Sequence, residues 1–342
     1  MVQYKTALVR NITASIAMLV IANFTIASEY ESLGMAKHLG AKTQSRCAES
    51  LSQTNSNSYE LSYERSGTMP KSPFAGAFQP KFLPTLHMEG TIQHYNMDVL
   101  NTDVNSANQG TQMDALGHFG YDSKHENDAN EILYFGGLTQ EDVKPTGDSP
   151  LLALGAETVP PLVSSGLLID VRRYANNGRA YSAGEFITAK ILKDSMHAQG
   201  LSERGILPGD IVLIYTGWSD HYADPDIAGV YYSSAPGLSY DAALFLGEKG
   251  IVAAGLDTPF VDSVPSPNDT KPRDLPKGTP PNMQFPVHHH FLTQVGIYTL
   301  ENLNLKDLAD NKIFQSCTMV LPLLSRGSAG SPIRPVAYGA PF

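Results

Sequence analysis

The chain is short of positive charge, of cysteine and of long apolar runs, and each shortage excludes something. Its 24 Lys and Arg stand against 34 Asp and Glu, for a net charge of −10 over 342 residues. A surface of that sign repels phosphates, which excludes gripping nucleic acid as the main work. It also argues against docking on anionic lipid. Charged residues make up only 17% and apolar ones 42%, so the chain is not disordered and has enough apolar matter for a substantial core. With only two cysteines, Cys47 and Cys317, at most one internal bridge can form. An oxidising compartment would favour that bridge, while two separate thiols, Cys317 in the core, read equally well.

The longest apolar stretch near the start, Ile12 to Ala27, is short of the roughly 20 residues that span a bilayer and contains Asn23. Lys5 and Arg10 precede it and small residues close it at Thr25-Ile26-Ala27. This is the pattern of a secretory signal peptide over residues 1–27, cut before Ser28, and it implies a periplasmic or secreted protein. Residues 28–72 are polar and aperiodic, with a Ser/Asn/Gln patch at Ser50–Ser58, and read as an N-terminal arm.

From Pro73 to the end, residues 73–342 alternate apolar runs with turn signals and read as one mixed α/β domain. Strands are expected over Leu167–Val171, Asp210–Thr216, Ile251–Asp257, Ile297–Leu303 and Met319–Leu324. A capping box at Ser182 and Glu185 predicts a helix that stops at Gly200. Ser239 and Gly250 bracket a second helix over Tyr240–Lys249. The fold class is α/β.

Two stretches carry chemistry. The first, Asn108-Gln-Gly-Thr-Gln-Met-Asp-Ala-Leu-Gly-His118, places Asp114 and His118 four residues apart. The second is Val287-His-His-His290, followed by Glu301 inside an apolar strand. A carboxylate buried there is costly unless it is paired or bound to a metal. In an extended segment His288 and His290 share one side and His289 takes the other.

These stretches resemble the cyclase family of metal-dependent hydrolases, which includes bacterial kynurenine formamidase and isatin hydrolase. The family's hallmark is His-x-Gly-Thr-His-x-Asp-x-Pro-x-His, and Asn108 to His118 stands in its place. The likeness continues through Gly166–Val171, Leu207–Trp218, His288 to Leu303 and Gly330–Pro335, in order. It implies a swivelling β/β/α domain with a mixed sheet and flanking helices. Asn108 and Gln112 replace the first two histidines, which places the chain in a long branch with Gly-Thr-Gln in place of Gly-Thr-His.

By this resemblance one metal site is crippled and one survives, with Asp114, His118, His288 and Glu301 holding one divalent ion, Zn or Mn. His288 is preferred to His290 by its distance to Gly296 and Glu301. The implied reaction is hydrolysis of a non-peptide C–N bond in an aryl formamide, cyclic amide or imide. Metal-activated water attacks, Gln112 or a nearby backbone N–H holds the oxyanion, and His118, where it is not a ligand, is the acid. His125 and His221 are reserves. Trp218 and Tyr222 are candidates for a wall against a planar substrate.

The resemblance also implies a homodimer or homotetramer acting on a small molecule, with no nucleic acid and no membrane after signal cleavage. Two other readings remain: an inactive cyclase-fold binding protein, and a metal-dependent lactonase or dehydratase.

Overall fold

The structure, a computed structural model, describes residues 32–76, 78–99, 109–122, 124, 131–269 and 273–342. The expected signal peptide, Asn108 and His125 lie outside the described residues.

The longest apolar runs pair first. Strands β3 (Leu162–Asp170), β4 (Ile211–Tyr215), β5 (Ala253–Leu256) and β6 (Tyr298–Glu301) lie side by side and parallel. All but one of their residues are buried, as a sheet covered on both faces requires. Beyond β3 the sheet continues antiparallel through β7 (Gln315–Val320) and β9 (Val336–Gly339) to β1 (Asn57–Glu60). Beyond β6 it continues antiparallel through β2 (Gln112–Asp114) to β8 (Gly330–Pro332). The nine strands make one mixed sheet flanked by helices, an α/β fold.

The segment read as a polar arm supplies the helix α1 (Ala41–Ser52) and the edge strand β1. A disulfide joins Cys47 on α1 to Cys317 on β7, with Cα atoms 4.2 Å apart. Closing so long a loop removes about 5 kcal/mol of unfolded-state entropy.

The helix α2 runs over Ala189–Ala198, later than the capping box predicts. Phe186 and Ile187 pair as a short strand with Gly237 and Leu238. The helix therefore starts at Thr188, whose hydroxyl accepts the Ile191 N–H at 3.2 Å. The Glu185 carboxylate still accepts from the Ser182 N–H, but it closes a turn. The helix α3 (Tyr240–Glu248) stands where Ser239 and Gly250 place it. The final apolar run is shifted: β7 ends at Val320, and Leu321, Leu323 and Leu324 leave the sheet around Pro322 and are exposed. Proline has no N–H to offer a ladder.

Candidate metal centre

Alternation along β2 sends Gln112 and Asp114 to one face and Met113 to the other. The register sets Thr299 opposite Asp114 and Glu301 opposite Gln112, with Leu300 opposite Met113. Directly opposed residues share a face. Four polar side chains thus stand together on one side of the β2–β6 pair, and two apolar ones on the other. Each polar pair is bonded: the Thr299 hydroxyl donates to Asp114 Oδ2 at 2.8 Å, and Gln112 Nε2 donates to Glu301 Oε2 at 2.9 Å. Asp114 and Glu301 are buried.

His288 reaches this face from a short helical segment, Pro286–His288, which continues as a π-helix over His289–Val295. Its Nε2 lies 3.1 Å from Glu301 Oε1 and 3.5 Å from Asp114 Oδ2. Its Nδ1 lies 2.6 Å from Asp262 Oδ2. Asp262 also accepts the backbone N–H groups of Val287 and His288, at 2.8 and 3.0 Å, so the ring and its segment are anchored by one carboxylate. A carboxylate can only accept, so Nδ1 carries a proton and Nε2 faces the other two acids.

Ligand atoms of Asp114, His288 and Glu301 all fall within 4.8 Å of one another. Two carboxylates and an imidazole fixed from behind by a third carboxylate suit a divalent transition ion. The buried Gln112 Oε1 atom has no hydrogen-bond partner among the described residues.

The electrostatics show how tightly the charges are gathered. Burial, and then the charge of Asp114, push Glu301 up to about 7. Burial alone would lower His288, but hydrogen bonds from its ring to Asp114, Asp262 and Glu301 outweigh it and hold the ring well above its ordinary value. Burial would raise Asp114, yet His118 and His288 keep it below the usual carboxylate range.

The cluster forms the floor of a cavity of about 210 Å³. Ser72, Phe74, His118, Phe119, Tyr232, Pro259, Phe260 and Phe285 complete the lining. His118 is half-buried, and burial lowers its pKa, so it is neutral near pH 7.

Comparison with known proteins decides the family. A family model, Cyclase ("Putative cyclase"), matches residues 52–263, more than half of the chain. The chain belongs to the Cyclase family. The matched region includes Gln112, Asp114, His118 and Asp262, while His288 and Glu301 join them through the fold.

A solved structure described as a novel cyclase is 21% identical, with a TM-score of 0.72 over 90% of this chain and 94% of that one. Isatin hydrolase A from Ralstonia solanacearum is 18% identical, with a TM-score of 0.54 over 83% of this chain and 92% of that one. These likenesses establish the fold. Kynurenine formamidase of Bacillus cereus is 37% identical over 101 residues, 30% of this chain and 39% of the relative. The chain thus spans about 39% of the length of the curated relatives it matches.

The cluster corrects one expectation. The sequence placed this chain in a branch set apart by Gly-Thr-Gln in place of Gly-Thr-His. The cluster keeps its histidine, as His288 between Asp114 and Glu301, and Gln112 stands beside it bonded to Glu301. The residue at 112 therefore marks no separate branch.

The structure brings together three of the four expected metal ligands, with His118 in the same cavity wall but outside the three-donor group. His288 occupies the site. His290 turns away, its ring against Tyr240 of α3 with centroids 5.7 Å apart. Trp218 is buried, its indole N–H donating to the Tyr231 carbonyl at 3.1 Å. Tyr222 stacks on Tyr63 at 3.7 Å. Neither lines the cavity, and His221 is exposed beside Trp218. The apolar walls come instead from phenylalanines.

Sequence reasoning missed Asp262 and Thr299. Asp262 had a readable signal: it follows Phe260-Val261, where a buried carboxylate is costly without partners. Thr299 had none, because its role depends on the register of two strands far apart in sequence.

Proposed function

We propose that this member of the Cyclase family is a metal-dependent hydrolase of a non-peptide C–N bond in an aryl formamide, cyclic amide or imide. The observation that carries the reading is the buried Asp114–His288–Glu301 cluster at the floor of an aromatic cavity. Those three residues would hold one divalent ion, Zn or Mn. Such an ion supplies Lewis acidity and lowers the pKa of bound water toward ~7. Asp262 holds the His288 ring so that Nε2 faces the other donors. His118, neutral in the cavity wall, takes a proton from the attacking water and returns it to the leaving nitrogen. Phe74, Phe119, Phe260 and Phe285 enclose a planar group and keep bulk water from the floor.

Elemental analysis of the purified protein, followed by a metal-supplemented screen of formamides, imides and lactones, tests the reading. One equivalent of Zn or Mn, with turnover of a formamide or imide, is the expected result. Turnover of lactones alone would move the enzyme to another class, and a metal-free protein without turnover would remove the hydrolase reading.

Export is part of the same proposal. The basic start, the short apolar run and the small residues before Ser28 support it. The Cys47–Cys317 bridge is consistent with an oxidising compartment. N-terminal sequencing of protein from the periplasm or medium is expected to begin near Ser28, and full-length chain in the cytosol would overturn it.

A further inference from the structure

The two carboxylates of the cluster are supported unequally. Glu301 accepts at both oxygens, from the Val261 N–H at Oε1 (3.0 Å) and from Gln112 Nε2 at Oε2 (2.9 Å). The first of these donors is backbone and is fixed by the fold itself. Asp114 lies on β2 between β6 and β8, so two residues stand directly opposite it, Thr299 on one side and Gly330 on the other. Gly330 has no side chain to offer, and a Cβ there would meet the Met113 carbonyl oxygen at 2.7 Å. Cross-strand support for Asp114 therefore falls to Thr299, whose hydroxyl donates to Oδ2 at 2.8 Å.

The His288 ring is the other neighbour, its Nε2 3.5 Å from the same oxygen. That distance is long for a hydrogen bond. A histidine that serves a metal through Nε2 also has no proton there to give. With the cluster loaded, Glu301 keeps two donors, and Thr299 is the one donor to Asp114 among the described residues. Thr299 is 0% exposed, so bulk water does not replace its hydroxyl. Its branched side chain is stiff at χ1, which leaves the hydroxyl little freedom of aim.

We propose that Thr299 is a positioning residue for the metal centre: its hydroxyl holds the Asp114 carboxylate in the orientation that binds the ion, and its methyl serves packing alone. The inference rests on the metal-dependent reading and goes beyond it, by assigning part of the ion affinity to a residue that is not a ligand. Partners that orient a ligand in this way typically change metal affinity when they are lost.

Hydroxyl and methyl can be varied independently at this position. Thr299→Val keeps the branched shape and loses the hydroxyl. Thr299→Ser keeps the hydroxyl and loses the methyl, and Thr299→Ala loses both. Affinities of the wild type and the three variants for zinc and for manganese are measured by competition with a chelating dye. Denaturant midpoints are measured on the same proteins without metal. Affinity is expected to sort by hydroxyl, with wild type and Thr299→Ser within about threefold of each other and Thr299→Val and Thr299→Ala weaker by about 10–100-fold. Thr299→Ser is expected to lower the midpoint while keeping the affinity, a split that a merely structural role does not produce.

Affinity that sorts by methyl, with wild type and Thr299→Val together, overturns the inference, and so does affinity that is alike in all four proteins. If Thr299→Val does not fold, Thr299→Ser and Thr299→Ala carry the same comparison, since they differ in the hydroxyl alone. A wild type that binds metal without this sorting leaves the hydrolase reading standing and removes the role of Thr299. Sorting by hydroxyl in a protein that turns over no formamide, imide or lactone removes the hydrolase reading and keeps that role. A wild type that holds neither ion overturns both.

Discussion

His288 and His290 stand two residues apart on one helical segment and are almost equally buried, at 4% and 8% exposure. Their surroundings are opposite. His288 faces Asp114, Asp262 and Glu301, which together raise its pKa well above the ordinary value in spite of burial. His290 faces the Tyr240 ring of α3, and burial, with His289 adding a little, lowers its pKa. Burial acts on both rings in the same direction, so the carboxylates make the difference. One end of the segment is built for charge and the other for packing, and the change occurs where a helical turn gives way to a π-helix at His289.

The largest effect expected from this contrast separates the two histidines directly. His288→Ala removes one of three converging donors and leaves two buried carboxylates facing each other. Metal binding is expected to be lost, with activity down on the order of 10³-fold or more. His290→Ala is expected to keep the ion and the activity while losing about 2 kcal/mol of stability, as a buried ring leaves a cavity. Elemental analysis and denaturant midpoints of the two variants read the two outcomes. An ion lost with His290 and kept without His288 would invert the comparison.

Much of this contrast is legible in the amino-acid sequence. A triple histidine next to apolar sequence and a glutamate inside an apolar strand are both costly unless they serve a purpose, and with Asp114 they supply the three donors. The core strands are legible in the same way: short apolar runs rich in Val, Ile and Tyr between turn residues, such as Asp210–Thr216, read as strands. The rest depends on contacts between distant residues. That Glu301 lies opposite Gln112 follows from a strand register, which no local pattern encodes. The Ser182–Glu185 capping box is real as chemistry, but pairing of Phe186–Ile187 with Gly237–Leu238 outcompetes the helix it announces. The polar edge strand β1 has no apolar alternation to reveal it, since it is held by pairing with β9 and by the nearby disulfide rather than by burial.

A smaller effect is expected from Asp262, which acts on the metal through His288. Asp262→Asn keeps the shape but weakens the hold on Nδ1 and on the two backbone N–H groups. Metal affinity is expected to fall by about 10–100-fold, measured by competition with a chelator, while the fold persists. Unchanged affinity would mean that Asp114 and Glu301 alone distinguish His288 from His290.

The smallest effect probes whether the two ends of the segment are mechanically separate. A Cβ at Gly247 of α3 would meet His290 Nε2 at 2.9 Å, too close for a real contact. Gly247→Ala gains about 1 kcal/mol from helix propensity and loses about 1–3 kcal/mol from overpacking, so a net loss near 1 kcal/mol is expected. The clash ends on a side-chain tip that packing can shift, and the carboxylates that hold His288 lie on other strands and loops. Metal affinity should therefore stay within about twofold. Combining Gly247→Ala with His290→Ala removes the clash and lets the new methyl fill part of the vacated space. A double-mutant cycle is expected to show coupling of about 1 kcal/mol in stability and none in metal affinity. Should metal affinity fall in step with stability, the π-helix transmits strain to His288, and the packing end of the segment is part of the site.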